Sequence, residues 1–206
     1  MKSGSGDPPP CLGASILTFA ICERTNAVFF LLGREKFWKR YRNDSEKWSD
    51  FGGRAKAGES AEAVAAREFV EETCGCVRYK KGDALPMQGQ EAYDAIRRSL
   101  ERKEYVYRFE FEVKQADRGV YTTFVRQVPL DPASGTLFSR VRQNLLQKET
   151  VNPDVLEKTK IAWFGLQQVR NAAFSSPMLR CENYQREYVR RWFRDRMRLI
   201  LPHLAV

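Results

Sequence analysis

The sequence predicts an α/β fold, an α/β/α sandwich built around a mixed β-sheet. Three observations predict it. Residues 13–22 and 27–32 are apolar, β-prone runs separated by the turn Glu23-Arg24-Thr25-Asn26. Residues 105–113 alternate as Tyr-Val-Tyr-Arg-Phe-Glu-Phe-Glu-Val, the period-2 pattern of a strand. Helical patterns fall between these strand segments and after them, so helices have to cover a sheet.

In chain order, residues 13–22 read as a buried strand and 27–32 as its returning partner, which Gly33 ends. Residues 34–42 interleave basic and aromatic side chains, and Trp48 and Phe51 lead into a glycine-rich loop. A helix follows, with Ser60 as N-cap and an end near Thr73. Its apolar face carries Ala63, Ala66, Phe69 and Val70. A second helix is expected over 91–102. Strands are expected over 105–113 and 120–128, joined by a turn at Asp117-Arg118-Gly119. Residues 136–149 read as a helix, 158–164 as a short strand and 166–172 as another helix. A long amphipathic helix over 183–201 carries Arg186, Arg190, Arg191, Arg194, Arg196 and Arg198 against an apolar face that includes Trp192 and Phe193. No internal repeat is present.

With 206 residues, 43% of them hydrophobic, the chain has enough apolar material for one domain of generous size. Residues 1–10 are rich in Gly, Ser and Pro and lack an apolar stretch. They are expected to be a disordered tail rather than a secretion signal, leaving 11–206 as the domain. No run of 18 apolar residues exists, so no transmembrane helix is expected. Five cysteines without framework spacing, and one histidine at His203, argue against a disulfide scaffold or a zinc site and for a reducing, cytoplasmic setting. The net charge of +9 suits a polyanionic substrate, and it also serves ordinary solubility.

The most specific signal lies at 53–72. Gly53 is followed after five residues by Glu59, and seven residues later comes Arg67-Glu68-Phe69-Val70-Glu71-Glu72. On a helix Glu68, Glu71 and Glu72 stand at i, i+3 and i+4, so their carboxylates share one face. Like charges so placed repel, and hard divalent cations that prefer carboxylate oxygen relieve them. A solvated acidic helix face is the plainer alternative. It does not account for the preceding Phe51-Gly52-Gly53 loop at fixed spacing.

This stretch resembles the Nudix box, matching it at Gly53, Glu59, Arg67, Glu68, Phe69, Glu71 and Glu72. Cys74 stands where the family has glycine, and Gly75 follows. One extra residue accounts for this, with Gly75 as helix cap and Cys76 or Val77 opening a strand. The resemblance implies a Nudix-type sandwich and a Mg²⁺- or Mn²⁺-dependent hydrolase of phosphoanhydride bonds. It implies Glu68, Glu71 and Glu72 as metal ligands, with the Gly52 carbonyl and Glu59 as further contributors. Glu68 is the candidate general base, and Arg67 orients a glutamate. Glu157, six residues before Trp163, is the candidate for the further carboxylate many relatives use, with a surface glutamate as the alternative. Glu110, Glu112 and Glu149 are weaker candidates.

The box says little about the substrate. Trp38, Tyr41, Trp48 and Phe51 are candidates to stack on a base, and Arg54 and Lys56 to meet phosphates; core or loop packing is the alternative for each aromatic. The arginine-rich C-terminal helix is a candidate RNA track, with a solvated helix face as the alternative. The last third of the chain is similar to viral Nudix enzymes of large cytoplasmic DNA viruses. Those remove mRNA caps, and some also act on diphosphoinositol polyphosphates. The expected activity is therefore decapping, releasing 7-methyl-GDP and 5′-monophosphate RNA. Hydrolysis of diphosphoinositol polyphosphates or other nucleoside diphosphate derivatives is the alternative within enzymes. A non-catalytic RNA-binding module is the alternative outside them.

Overall fold

The computed structural model describes residues 9–39, 42–82, 84–87, 89–113, 118–148, 151, 156–181 and 185–204. The tail expected over 1–10 lies outside them but for Pro9 and Pro10. So do Tyr41, Asp117 and Glu149.

Strands β1 (Cys11–Ile21) and β2 (Val28–Glu35) form an antiparallel pair at one end only, where 18–21 face 28–31. At the other end they diverge. The gap is filled by β3 (Trp48–Ser49), which pairs with β2, and β4 (Phe51–Arg54), which pairs with β1. β6 (Gly119–Gln127) runs parallel to β1, and β5 (Tyr107–Val113) lies antiparallel on its far side. β7 (Lys158–Gly165) extends the sheet antiparallel to β2. The sheet is mixed, as expected.

Alternation along β1 builds two cores. Ala14 and Ile16 face a layer that contains Val64, Phe69, Ile96 and Phe138. Those residues belong to α1 (Ala61–Thr73), α2 (Gly89–Glu101) and α3 (Ser134–Leu146). Leu17 and Phe19 face the opposite layer, with Val169, Phe193 and Met197 from α4 (Leu166–Phe174) and α5 (Arg191–Ile200).

α1 begins where the sequence placed it. The Ser60 hydroxyl accepts from the Ala63 amide, which satisfies one of the donors a helix start leaves open. Its exit differs from expectation. Cys74 itself takes the left-handed conformation that ends the helix, at φ 50°, Gly75 repeats it at φ 64°, and no strand opens at 76–77.

Two further expectations are corrected. β2 does not stop at Gly33, because Gly33 and Arg34 pair with Ser49 and Trp48 on one side and with Ile161 and Lys160 on the other. The helix expected over 183–201 is only Arg191–Ile200. Arg186–Tyr188 is strand β9, paired with β8 (Met178–Arg180), and the Arg190 amide then donates to the Trp48 carbonyl. Amphipathic period alone did not reveal that long-range backbone pairing, which claims the segment before a helix can form.

Asp50 sits where the chain passes from pairing β2 to pairing β1. Arg196 of α5 grips its carboxylate through two nitrogens, at 2.7 and 2.8 Å, and also donates to Ser15 and Thr123. Both side chains are 4% exposed. Burial by itself raises the Asp50 pKa, but Arg196 outweighs it and the net shift is downward.

Removing one partner of such a pair strands a buried charge. Arg196→Met is expected to cost about 3–5 kcal/mol in urea unfolding, with part recovered in Arg196→Met/Asp50→Asn. The pair's contribution is complete above the unfolded Asp pKa of about 3.9 and fades as pH falls through the depressed folded value. The stability gap between wild type and Arg196→Met should therefore narrow below about pH 4, measured by the same unfolding curves.

Candidate functional site

The acidic face of α1 meets the β4 loop. Gly53 lies so close to Glu68 that a Cβ there would come 2.3 Å from Glu68 Oε1. Only glycine lets the loop backbone approach the carboxylate this closely. The Gly52 amide donates to Glu72 Oε2 at 2.6 Å.

The three helix carboxylates share a face but not an environment. Glu71 is the most open, with its side chain 36% exposed. Glu68 is held by Arg67, which donates to its Oε1 at 2.6 Å. Glu72 is buried and reaches Lys158 Nζ at 3.2 Å. Arg67 also binds Glu59 with two nitrogens, each at 3.0 Å, donates to the Arg54 carbonyl and reaches Glu71 at 3.4 Å. The Lys56 amide donates to Glu59 as well. Glu59 therefore has its acceptor positions engaged by Arg67 and the loop, which suits a carboxylate that orients Arg67.

A second group of carboxylates closes on the first. Oxygens of Glu35, Glu72 and Glu157 lie within 4.8 Å of one another, drawn from β2, α1 and the residue just before β7. Burial pushes the Glu72 pKa well up; Lys158 opposes this, while Glu35, Glu68 and Glu157 add to it. Burial likewise raises Glu157, reinforced by Glu35 and Glu68. Glu68 is raised mainly by burial, against the pull of Arg67. Glu35 goes the other way: burial raises it, but Lys158 and Arg190 outweigh burial and its net shift is downward. The donors are hard carboxylate oxygens gathered in a largely buried setting. The donor set fits a divalent cation of the Mg²⁺ or Mn²⁺ type.

Sequence reasoning did not single out Glu35 or Lys158. Glu35 stood in the basic-aromatic run and Lys158 at the start of a strand. Only the β2–β7 register, which makes them partners, brings them to the site.

The aromatic candidates divide. Trp48 is 2% exposed; its ring packs edge-on against Phe164 and its indole donates to Glu187 at 2.7 Å. Phe51 is fully buried, edge-on to Phe69. Neither offers a face to a ligand, a correction to the stacking role expected of both. Trp38 is half-buried, with the Lys36 ammonium 4.1 Å from the ring centroid, and Phe37 beside it is exposed. The Lys36 amide donates to the Glu157 carbonyl at 2.7 Å, which ties this loop to the carboxylate group. Arg54 and Lys56 are exposed. Most arginines of the C-terminal segment are structural. Arg196 is buried, Arg194 and Arg198 donate to the Ala173 carbonyl, and Arg190 donates to Glu35 at 2.9 Å. Arg186 and Arg191 are exposed.

A family model described as the NUDIX domain matches residues 13–123. Among curated proteins none matches the sequence. Among solved structures the chain is similar to RenU, a Nudix hydrolase from M. smegmatis, with a TM-score of 0.48 and 12% identity, over 95% of this chain and 89% of that one. It is similar to the C. elegans Ap4A hydrolase at a TM-score of 0.39 and 10% identity, over 81% and 87%. It is similar to T. brucei MERS1, in its RNA complex, at 0.44 and 16%, over 82% and 56%.

Gly53→Ala should displace the Glu68 side chain and leave the sheet intact. The expected result is about 10–100-fold weaker Mn²⁺ binding with little change in melting temperature, read by titration calorimetry and a thermal melt.

Proposed function

The chain belongs to the Nudix family and is a pyrophosphohydrolase; from that premise we propose that it cleaves the triphosphate bridge of capped RNA, releasing 7-methyl-GDP and a 5′-monophosphate end. The observation that carries the hydrolytic part is the convergence of Glu72 of α1 with Glu35 and Glu157, beside the glycine loop against which Glu68 also rests. Glu68, Glu71, Glu72 and Glu157 would hold Mg²⁺ or Mn²⁺. When bound, such ions neutralise phosphoryl oxygens and acidify water.

The chain's own groups have distinct tasks in this reading. Arg67 fixes Glu68 through its hydrogen bond and is itself fixed by Glu59. Glu68 takes the proton of the attacking water; burial raises its pKa, the direction a general base needs. The Gly52 amide orients Glu72. Gly52 could add its carbonyl to the ion's shell.

What supports RNA as substrate is the loop tied to Glu157. Trp38 and the exposed Phe37 follow Lys36, whose amide makes that tie, and offer aromatic surface on the same loop. Exposed Arg54 and Lys56 suit a polyphosphate chain.

The test is a product assay with cap-labelled RNA, diphosphoinositol polyphosphates and free nucleotides, each with Mg²⁺ or Mn²⁺. Release of 7-methyl-GDP, lowered about 10²–10⁴-fold in Glu68→Gln, is expected. Turnover of the small substrates alone would move the function to inositol phosphate or nucleotide chemistry. RNA binding retained in Glu68→Gln, with no turnover of any substrate by wild type, would indicate a binding module.

A further inference from the structure

Lys158 is a buried cation among the carboxylates of the site. Its side chain is 1% exposed. Its ammonium donates to Glu35, to Ser49 Oγ at 2.8 Å and to the Asp50 carbonyl at 3.3 Å, and it lies 3.2 Å from Glu72 Oε1. An ammonium has three donors, and four oxygens share them. The lysine stem has its own berth. A Cβ on Gly33 would come 2.8 Å from Lys158 Cδ, so the bare backbone of β2 leaves the space the stem fills.

Those contacts resemble what a bound ion would make. The partners are oxygens from β2, β3, the β3–β4 junction and α1, gathered around one buried positive charge. Two of them belong to the group of three carboxylates within 4.8 Å. Glu72 is the link to the helix face, since Oε1 meets Lys158 while Oε2 accepts the Gly52 amide.

We infer that Lys158 is a resident cation of the acidic site. Its ammonium stands between Glu35 and Glu72 where a divalent ion would otherwise sit, and it orients Glu72 toward Gly52. It is a positioning residue, and it limits how many divalent ions the site takes up. The inference rests on the metal-dependent reading above.

The test counts Mn²⁺ bound per chain, by electron paramagnetic resonance of the free ion, in wild type, Lys158→Met and Lys158→Gln. Each variant is expected to bind one more ion than wild type. The metal-free variants should melt at lower temperature and gain more from Mn²⁺ than wild type does. An unchanged ion count with no extra Mn²⁺-dependent gain overturns the inference. If neither variant folds without metal, folding that is restored by Mn²⁺ supports it, and failure to fold at saturating Mn²⁺ overturns it. No substrate is needed, so the two readings fail separately. Wild type that binds no Mn²⁺ sinks the metal-dependent reading. Wild type that binds it, with an unchanged count in the variants, sinks only the role of Lys158.

Discussion

Two buried cations hold the point where the sheet divides, and the site depends on that point. Arg196 reaches Asp50 from the α5 side, and Lys158 reaches the Asp50 carbonyl while contacting Glu72 of α1. Asp50 lies between β3 and β4, the two short strands that fill the gap between β1 and β2. Two and three residues on are Gly52 and Gly53, against which Glu72 and Glu68 rest. A shift of this segment would move the loop and both carboxylates together.

Burying charge here carries a large desolvation cost, and partners must offset it. For Arg196 they are bidentate: the guanidinium fork matches the Asp50 carboxylate, with Ser15 and Thr123 filling out the shell. For Lys158 they are oxygens of several elements around a point charge. The first arrangement fixes geometry. The second gathers several carboxylates around it, and Glu72 and Glu157 are pushed upward chiefly by burial, with Glu35 and Glu68 adding to both. A structural network and an ion-binding face are thus continuous through Glu72.

The same pattern explains why a strongly basic chain has a limited basic surface near its C-terminus. Arg190, Arg194, Arg196 and Arg198 are spent on Glu35, on the Ala173 carbonyl and on Asp50. Net charge counted these residues as available to a polyanion. The fold shows them tying α5 to α4 and to the sheet. Exposed positive charge on the glycine loop comes from Arg54 and Lys56.

Elements whose signal is local are legible in the chain alone. Ser60 as cap, the 3.6-residue spacing of Glu68, Glu71 and Glu72, the alternation in β5 and the glycines before α1 are all read within one turn or one strand. Family membership was legible for the same reason, because the box is contiguous. Features that depend on distant partners emerge only with folding. Glu35 and Lys158 meet only through the β2–β7 register, and Asp50 and Arg196 only through packing of α5 on the sheet. Trp48 and Phe51 looked like stacking platforms until burial placed them in the two cores. Residues 186–188 kept an amphipathic pattern yet became a strand, since backbone pairing with 178–180 satisfies their hydrogen bonds. Spacing along the chain fixes which side chains share a face; which charges are buried, and against what, is settled by contacts that no local pattern encodes.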